Sequence, residues 1–296
     1  MQNTSPPKLF SYDRLVAGIR RANRIAKPDA DFLARIAADV LAERLNVTNR
    51  EFQMAADVFS RSGRMRSVLH DAANVGNVVS ISFPEEWGTT PGEVNSAANT
   101  VGLPDTIPFS NGSLNLATSV FGLHWSNDLP GILLQIRTAL APDGLFLAAL
   151  PGAQTLNELR QSVIEAETEL TGSVSLRVDP FGEIRQVGSL LQRAGFALPV
   201  VDTESFTVRY SSMKTLIDDL RAMGVSASFA EKSGFGPRDL FDRAERIYSQ
   251  RFSDPDGRIR ATYEMVFLSG WSPDASQQRA LKPGSAKHRL QDFLGY

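Results

Sequence analysis

Apolar and polar positions follow two rhythms along this chain, and the change from one to the other sets out its architecture. From Asp13 to about Arg44 the spacing is helical. In the run DFLARIAADVLAERL it puts Phe32, Leu33, Ile36, Val40 and Leu41 on one stripe. After residue 50 short apolar runs alternate with helical stretches. Phe52–Phe59, the β-branched Asn77–Phe83 and Leu114–Phe121 read as strands. Leu129–Leu140 reads as a helix, with Asp128 as its cap and Pro130 in the first turn, where no helical N–H bond is lost. The turn Pro142-Asp143-Gly144 should end that helix and lead into Leu145–Leu150. That run is apolar on both faces, as a central, doubly covered parallel strand requires.

Beyond it, Thr155 and Glu158 have the spacing of a capping box and open a helix to about Leu170. A helix over Ile184–Ala194 is stopped by Gly195, and residues 198–209 read as a strand. Helices over about Met213–Met223 and Arg238–Ser253 follow, then a tight turn at Asp254–Gly257 and a last long strand, Ile259–Gly270, which is a candidate to run antiparallel. Strand–helix alternation implies a mostly parallel sheet covered on both faces, with ligands at the carboxyl ends of its strands. The expected layout is a tail and helices over 1–50, an α/β domain over 51–271 with a helical insertion at about 211–253, and a polar tail over 272–296.

Composition narrows the possibilities. With 296 residues, 42% hydrophobic and 22% charged, the chain can bury an ordinary core. A net charge of −2 gives no general pull toward nucleic acid or an anionic membrane, and Arg20, Arg21 and Arg24 read as a solvated helix face. The absence of cysteine excludes disulfides, thiolate nucleophiles and Cys-bound metal. No run approaches the ~20 apolar residues of a membrane span. The opening MQNTSPPKLFSYDR lacks the apolar core of a signal peptide. The expectation is cytoplasm, or the mitochondrial matrix in a eukaryote, and not secretion.

Candidate chemistry is sparse. His70 and His288 read as surface residues. His124, with Trp125, follows a strand at the rim where a substrate would sit; it is either a hydrogen-bonded structural histidine or a substrate contact or general base. No spacing of histidines and acids suits a metal, no facial triad is visible, and there is no G-x-S-x-G elbow. Glu165, Glu167 and Glu169 form an acidic comb, either solvated or facing a basic partner. Asn127-Asp128 reads as a helix cap near the rim, and Gly152 as a turn above the pocket.

The stretch LHWSNDLPGILLQIRTALAPDGLFLAALPGAQTLNELR, Leu123–Arg160, resembles one group of class I S-adenosylmethionine (SAM)-dependent methyltransferases. That group contains the biotin-pathway malonyl-carrier-protein methyltransferase and, more closely, the mitochondrial complex I assembly factor 5. The likeness continues through Ala166–Glu169, Arg177–Phe181, Leu190–Phe196, Asp219–Gly224, Arg251–Glu264 and Ser269–Trp271, and includes LFSYDRL near the start. It implies a Rossmann-like, seven-stranded, mostly parallel sheet with SAM at the carboxyl ends of the first strands. It also implies a complex I subunit as protein substrate or partner. The mitochondrial member is associated with arginine hydroxylation rather than methyl transfer.

The resemblance is weakest where SAM should bind. The family's glycine-rich loop after the first strand corresponds here to Ala56-Asp57-Val58-Phe59-Ser60-Arg61-Ser62-Gly63, so Asp57 and Gly63 survive while Phe59 and Arg61 stand at glycine positions. A Phe59 ring could fill the space meant for methionine or ribose. The acid that should hold the ribose falls on Ser82, with Glu85 or Glu86 as substitutes from a shifted loop. The acid that should bracket adenine falls on Leu103, with Asp105 as stand-in, and the usual Phe-Asp opening the next strand is Leu114-Asn115. The cofactor set implied is therefore Asp57, Phe59, Ser60, Gly63, Ser82, Asp105 and Ser119; the substrate set is His124, Trp125 and Gly152. Two lost charged hydrogen bonds, at ~1.5–3 kcal/mol each, would weaken SAM by roughly 10²–10⁴-fold.

Three readings remain open. The chain is a working SAM-dependent methyltransferase linked to complex I assembly, or a non-catalytic assembly factor of the same fold that has lost SAM, or a protein-arginine hydroxylase. Hydroxylation needs an oxygen-activating metal or cofactor, for which the sequence shows no ligand set.

Overall fold

The computed structural model describes residues 8–84, 99–225, 228–231 and 236–278. Glu85, Glu86, His288 and most of the expected C-terminal tail lie outside these residues.

The sheet consists of β1 (Phe52–Val58), β2 (Val75–Ser82), β3 (Asn99–Val101), β4 (Leu114–Val120), β5 (Leu140–Pro151), β6 (Ala197–Tyr210) and β7 (Ile259–Trp271). Their order is β3-β2-β1-β4-β5-β7-β6. The first five run parallel, while β7 is antiparallel to both β5 and β6. The chain winds outward from β1 to β3 and then returns to β4 on the other side, so the switch point lies between β1 and β4. This is the expected class I methyltransferase topology. Among the described residues no helix is long and apolar enough to cross a membrane.

Period-two burial along β5 shows why the sheet needs two covers. Leu145, Leu147 and Ala149 join one core with α2 (Phe32–Asn46) and α3 (Arg64–Asp71). Phe146, Ala148 and Leu150 join the other with α1 (Tyr12–Ile25), α4 (Leu129–Ala139) and α6 (Ile184–Arg193). A third cluster lies where α5 (Asn157–Thr171), α7 (Met213–Ala222) and α8 (Leu240–Phe252) pack on the first half of β7.

Several local expectations are corrected. α3 and β3 carry almost no periodic signal, because one is eight residues long and the other three. Pro142-Asp143-Gly144 is a bulge within β5 and not a turn before it. Leu140 already pairs with Leu114, the ladder resumes at Leu145, and Asp143 absorbs the extra length at φ 59°. The capping box does not form. Thr155 donates to the Glu264 carbonyl at 2.9 Å, and Glu158 accepts the Thr262 N–H at 3.0 Å, so both tie α5 to β7. Asp128, by contrast, caps α4 by accepting the Gly131 N–H at 2.9 Å.

The acidic comb is neutralised internally. Glu165 pairs with Arg251 and Glu169 with Arg243 across α5 and α8. Glu167 is buried and pairs with Arg177 at 2.6 Å while accepting the Ser175 N–H and hydroxyl. Its pKa is held below the ordinary 4.5, first by the Arg177 hydrogen bond. Arg177→Met is expected to cost about 2–4 kcal/mol near neutral pH by stranding that carboxylate. A lowered folded pKa contributes stability above the unfolded value and loses it as pH falls, so the difference between variant and parent should shrink below about pH 4.5 in urea unfolding. Equal stability at pH 7 would show that the pair contributes nothing.

Candidate functional site

The crossover from β1 to α3 stands at the carboxyl edge, beside the switch point. Phe59 leaves β1 at φ 57°, a conformation that favours glycine and costs another residue about 1 kcal/mol. The backbone has thus kept the shape of a glycine loop without its glycines. The Phe59 ring is fully buried, with its centroid 5.3 Å from Phe83. Phe83 in turn meets Trp125 edge-to-face at 5.9 Å. At Gly102, just past β3, an added Cβ would lie 3.5 Å from Phe59 Cζ, so the ring reaches across the ends of β1 and β2.

The polar groups of the crossover are turned inward as well. Phe59 N–H donates to the Ile81 carbonyl at 2.8 Å and Arg61 N–H to the Val120 carbonyl at 2.8 Å. Ser60 Oγ accepts the Val120 N–H at 2.9 Å. The loop that would present amides to a ligand is bonded to the ends of β2 and β4. The Arg61 side chain crosses the site, donating to the Met223 carbonyl at 3.2 Å with its guanidinium 5.9 Å from the Trp125 ring centre.

Ser82 and Asp105, two of the other expected cofactor residues, meet neighbouring protein groups. At the end of β2, Ser82 Oγ lies 3.5 Å from Nη2 of the buried Arg66, so a cation stands beside the residue expected to meet the ribose. Asp105 accepts the Ser126 hydroxyl and the Asn127 N–H, both at 2.9 Å, and so organises the loop before α4. Asn127 itself pins the N-terminal segment by accepting the Phe10 N–H at 2.9 Å. Asp57 is buried within β1, and Gly63 opens α3 at φ 69°. Ser119 is fully buried in β4, and its hydroxyl makes no hydrogen bond among the described residues. With Phe59 and Phe83 packed over the end of β1 and the Phe59 and Arg61 N–H groups bonded to Ile81 and Val120, this crossover does not fit SAM.

The expected substrate residues do come together. His124 and Trp125 form a 3-10 turn after β4, with ring centroids 4.2 Å apart. They border an apolar pocket whose walls also include Phe121, Phe181, Met223 and Tyr263. Burial, and then the Arg61 charge, push the His124 pKa down to about 3. The imidazole is therefore neutral at physiological pH and too weak to take a proton effectively as a general base. Gly152 lies close by for a steric reason. A Cβ there would sit 2.2 Å from Glu264 Oε2, and that carboxylate accepts the Gln154 N–H at 3.0 Å. Among the described residues no group of three or more His, Asp or Glu could hold a metal ion.

Two parts of the site were not singled out as site residues, although Asp179, Asp219 and Tyr263 lie in stretches that carry the family resemblance. One is the network of Lys27, Asp219, Tyr210 and Tyr263. Lys27 Nζ meets Asp219 at 2.5 Å, Tyr210 donates to Asp219 at 2.9 Å, and the two tyrosine hydroxyls are 3.1 Å apart. The other is Asp179, buried near Trp125, with its pKa pushed up to about 6 by desolvation. A raised folded pKa means that stability is lost as pH rises from about 4 to about 6, here by about 3 kcal/mol from this group. Asp179→Asn should remove that dependence, so the variant gains on the parent across this range in pH-resolved thermal unfolding. A constant difference between the two would show that Asp179 does not titrate there.

No family model matches the chain. It is 33% identical over 288 residues to the mitochondrial arginine-hydroxylase NDUFAF5 of Mus musculus, covering 96% of this chain and 84% of that protein. The Dictyostelium discoideum arginine-hydroxylase NDUFAF5 is 31% identical over 323 residues, covering 99% and 73%. A malonyl-[acyl-carrier protein] O-methyltransferase of Halorhodospira halophila is 34% identical over 182 residues, covering 61% and 60%. Among solved structures, a putative methyltransferase from Bacillus halodurans superposes with a TM-score of 0.54 at 13% identity, covering 79% of this chain and 98% of that one. This last likeness speaks to the fold alone.

Proposed function

The chain belongs to the NDUFAF5 family of methyltransferase-like proteins, and from that premise we propose that it acts as an assembly factor for respiratory complex I without using SAM at the family's cofactor crossover. One observation carries this reading: Phe59 fills the space after β1 while Ser60 and Arg61 engage Val120. Restoring a nucleoside there would displace a buried ring and break at least two hydrogen bonds. Methyl transfer depends mainly on alignment of donor and nucleophile, so a site that cannot seat the donor cannot compensate with acid–base groups. The neutral His124 offers no such group in any case. Arginine hydroxylation, the activity in the relatives' name, requires an oxygen-activating centre. Retention of the fold and of most of the chain length supports a partner-binding role.

Deletion of the gene in its host, followed by NADH:quinone oxidoreductase activity and intact masses of the complex I subunits, tests the proposal. Deletion should lower assembled complex I, the wild-type gene should restore it, and subunit masses should be the same in both strains. Normal complex I in the deletion strain, or loss of one methyl group or one oxygen from a subunit, would overturn it.

A further inference from the structure

Residues 9–11 are not part of the helix they precede. They lie as a short extended segment against the loop that follows β4, with Phe10 paired antiparallel to Phe229. On that side Ser11 N–H donates to the Ser228 carbonyl at 2.6 Å and Ala230 N–H to the Leu9 carbonyl at 2.9 Å. In such a pairing the N–H and C=O of Phe10 itself point the other way. There the Asn127 side chain meets both. Its Oδ1 accepts the Phe10 N–H at 2.9 Å, and its Nδ2 donates to the Phe10 carbonyl at 3.2 Å. One amide thus takes the place of a second neighbouring strand. Side chains contribute little else. The Phe10 ring is buried and stacked on Phe229 with centroids 6.3 Å apart, whereas Leu9 is 45% exposed.

The walls of this slot are held by groups outside the segment. Arg14, on α1, donates to the Phe229 carbonyl at 2.8 Å, and Asp105 accepts the Asn127 N–H at 2.9 Å. The slot reads one ring and the backbone on either side of it, so it tolerates other sequences around the ring. A segment tied by one buried side chain and four backbone hydrogen bonds also opens before the sheet does. We infer that the slot is a docking site for an extended segment of a partner protein carrying one aromatic ring, and that residues 9–11 are an internal occupant which the partner displaces. The inference rests on the reading of the chain as a partner-binding factor, and it gives that partner a chemistry: a strand with a phenylalanine-like anchor.

Fluorescence anisotropy and hydrogen exchange on the full chain test it, with a labelled peptide of residues 8–12 as the probe. The tethered segment competes at an effective concentration of about millimolar, so the wild type should bind the probe weakly. Phe10→Ala removes the internal anchor and should bind it about tenfold tighter or more, because apparent affinity rises with the fraction of open slots. Ser11→Pro deletes the donor to Ser228 while leaving the ring, and should shift affinity the same way. The same peptide with alanine in place of phenylalanine should not bind. In the wild type, millimolar probe should strip protection from the amides of residues 9–11 while that of Ala230 persists. Folded variants that bind no tighter than the wild type, equal binding of the alanine peptide, or unchanged protection over residues 9–11 would overturn the inference. So would a wild-type dimer split by the probe, since a second copy would then be the occupant. Normal complex I in the deletion strain alongside intact displacement by the probe would sink the assembly reading alone.

Discussion

Gly122→Ala is expected to lose more than about 4 kcal/mol of stability, the largest effect of any single methyl group added near the site. The added Cβ would lie 1.9 Å from the Phe59 carbonyl oxygen, 2.7 Å from its carbonyl carbon and 2.8 Å from its Cβ. Those atoms belong mainly to backbone, so no flexible side chain can move aside. Phe59 is itself held by the Ile81 carbonyl, and the next two residues are held by Val120, so relieving the clash means separating the β1 crossover from the end of β4. Gly122 sits at φ −118°, where any residue is comfortable, so the cost is contact and not conformation. Chemical denaturation of the variant reads it directly. A loss below about 1 kcal/mol would show that the two loops do not approach this closely.

Phe59→Gly is expected to cost about 2–4 kcal/mol. Removing a fully buried phenylalanine ring forfeits its transfer free energy and leaves a cavity between Ile81, Phe83 and Gly102. Against that, glycine relieves a φ of 57° and returns about 1 kcal/mol. The sign of the net effect is informative. If the ring projected into an open cleft, the relief of strain would dominate and the variant would be more stable. Destabilisation in urea, with the denaturant slope unchanged, is the outcome that a packed ring requires.

What the sequence disclosed followed from how strongly each segment repeats its own pattern. β5 was readable because its apolar run serves two cores at once, and α4 because Asp128 and Pro130 mark its start. α3 and β3 were not, since eight and three residues are too few to show a period. Thr155 and Glu158 matched a capping pattern, but β7 offered both side chains partners more than a hundred residues away. The acidic comb of α5 reads equally as solvated or as facing a basic partner, because its arginines arrive from α8 and from the loop at Arg177. At the site, the loss of glycines after β1 was visible in the residues, whereas its consequence was not. That Ser60 and Arg61 bond to Val120, that Asp105 serves the loop before α4, and that Arg66 lies against Ser82 are facts of three-dimensional approach. His124 and Trp125 were found by their place after β4, but burial and the Arg61 charge decide that the histidine is neutral.

The most direct measurement is the melting temperature of the purified chain in rising concentrations of SAM and of S-adenosylhomocysteine, with Phe59→Gly beside it. A ligand that occupied the crossover at one hundred times its Kd would add ~2.7 kcal/mol of stability. The wild-type midpoint is expected to stay constant to millimolar ligand, and the Phe59→Gly midpoint to rise. A dose-dependent rise in the wild type would contradict a crossover closed by its own side chains.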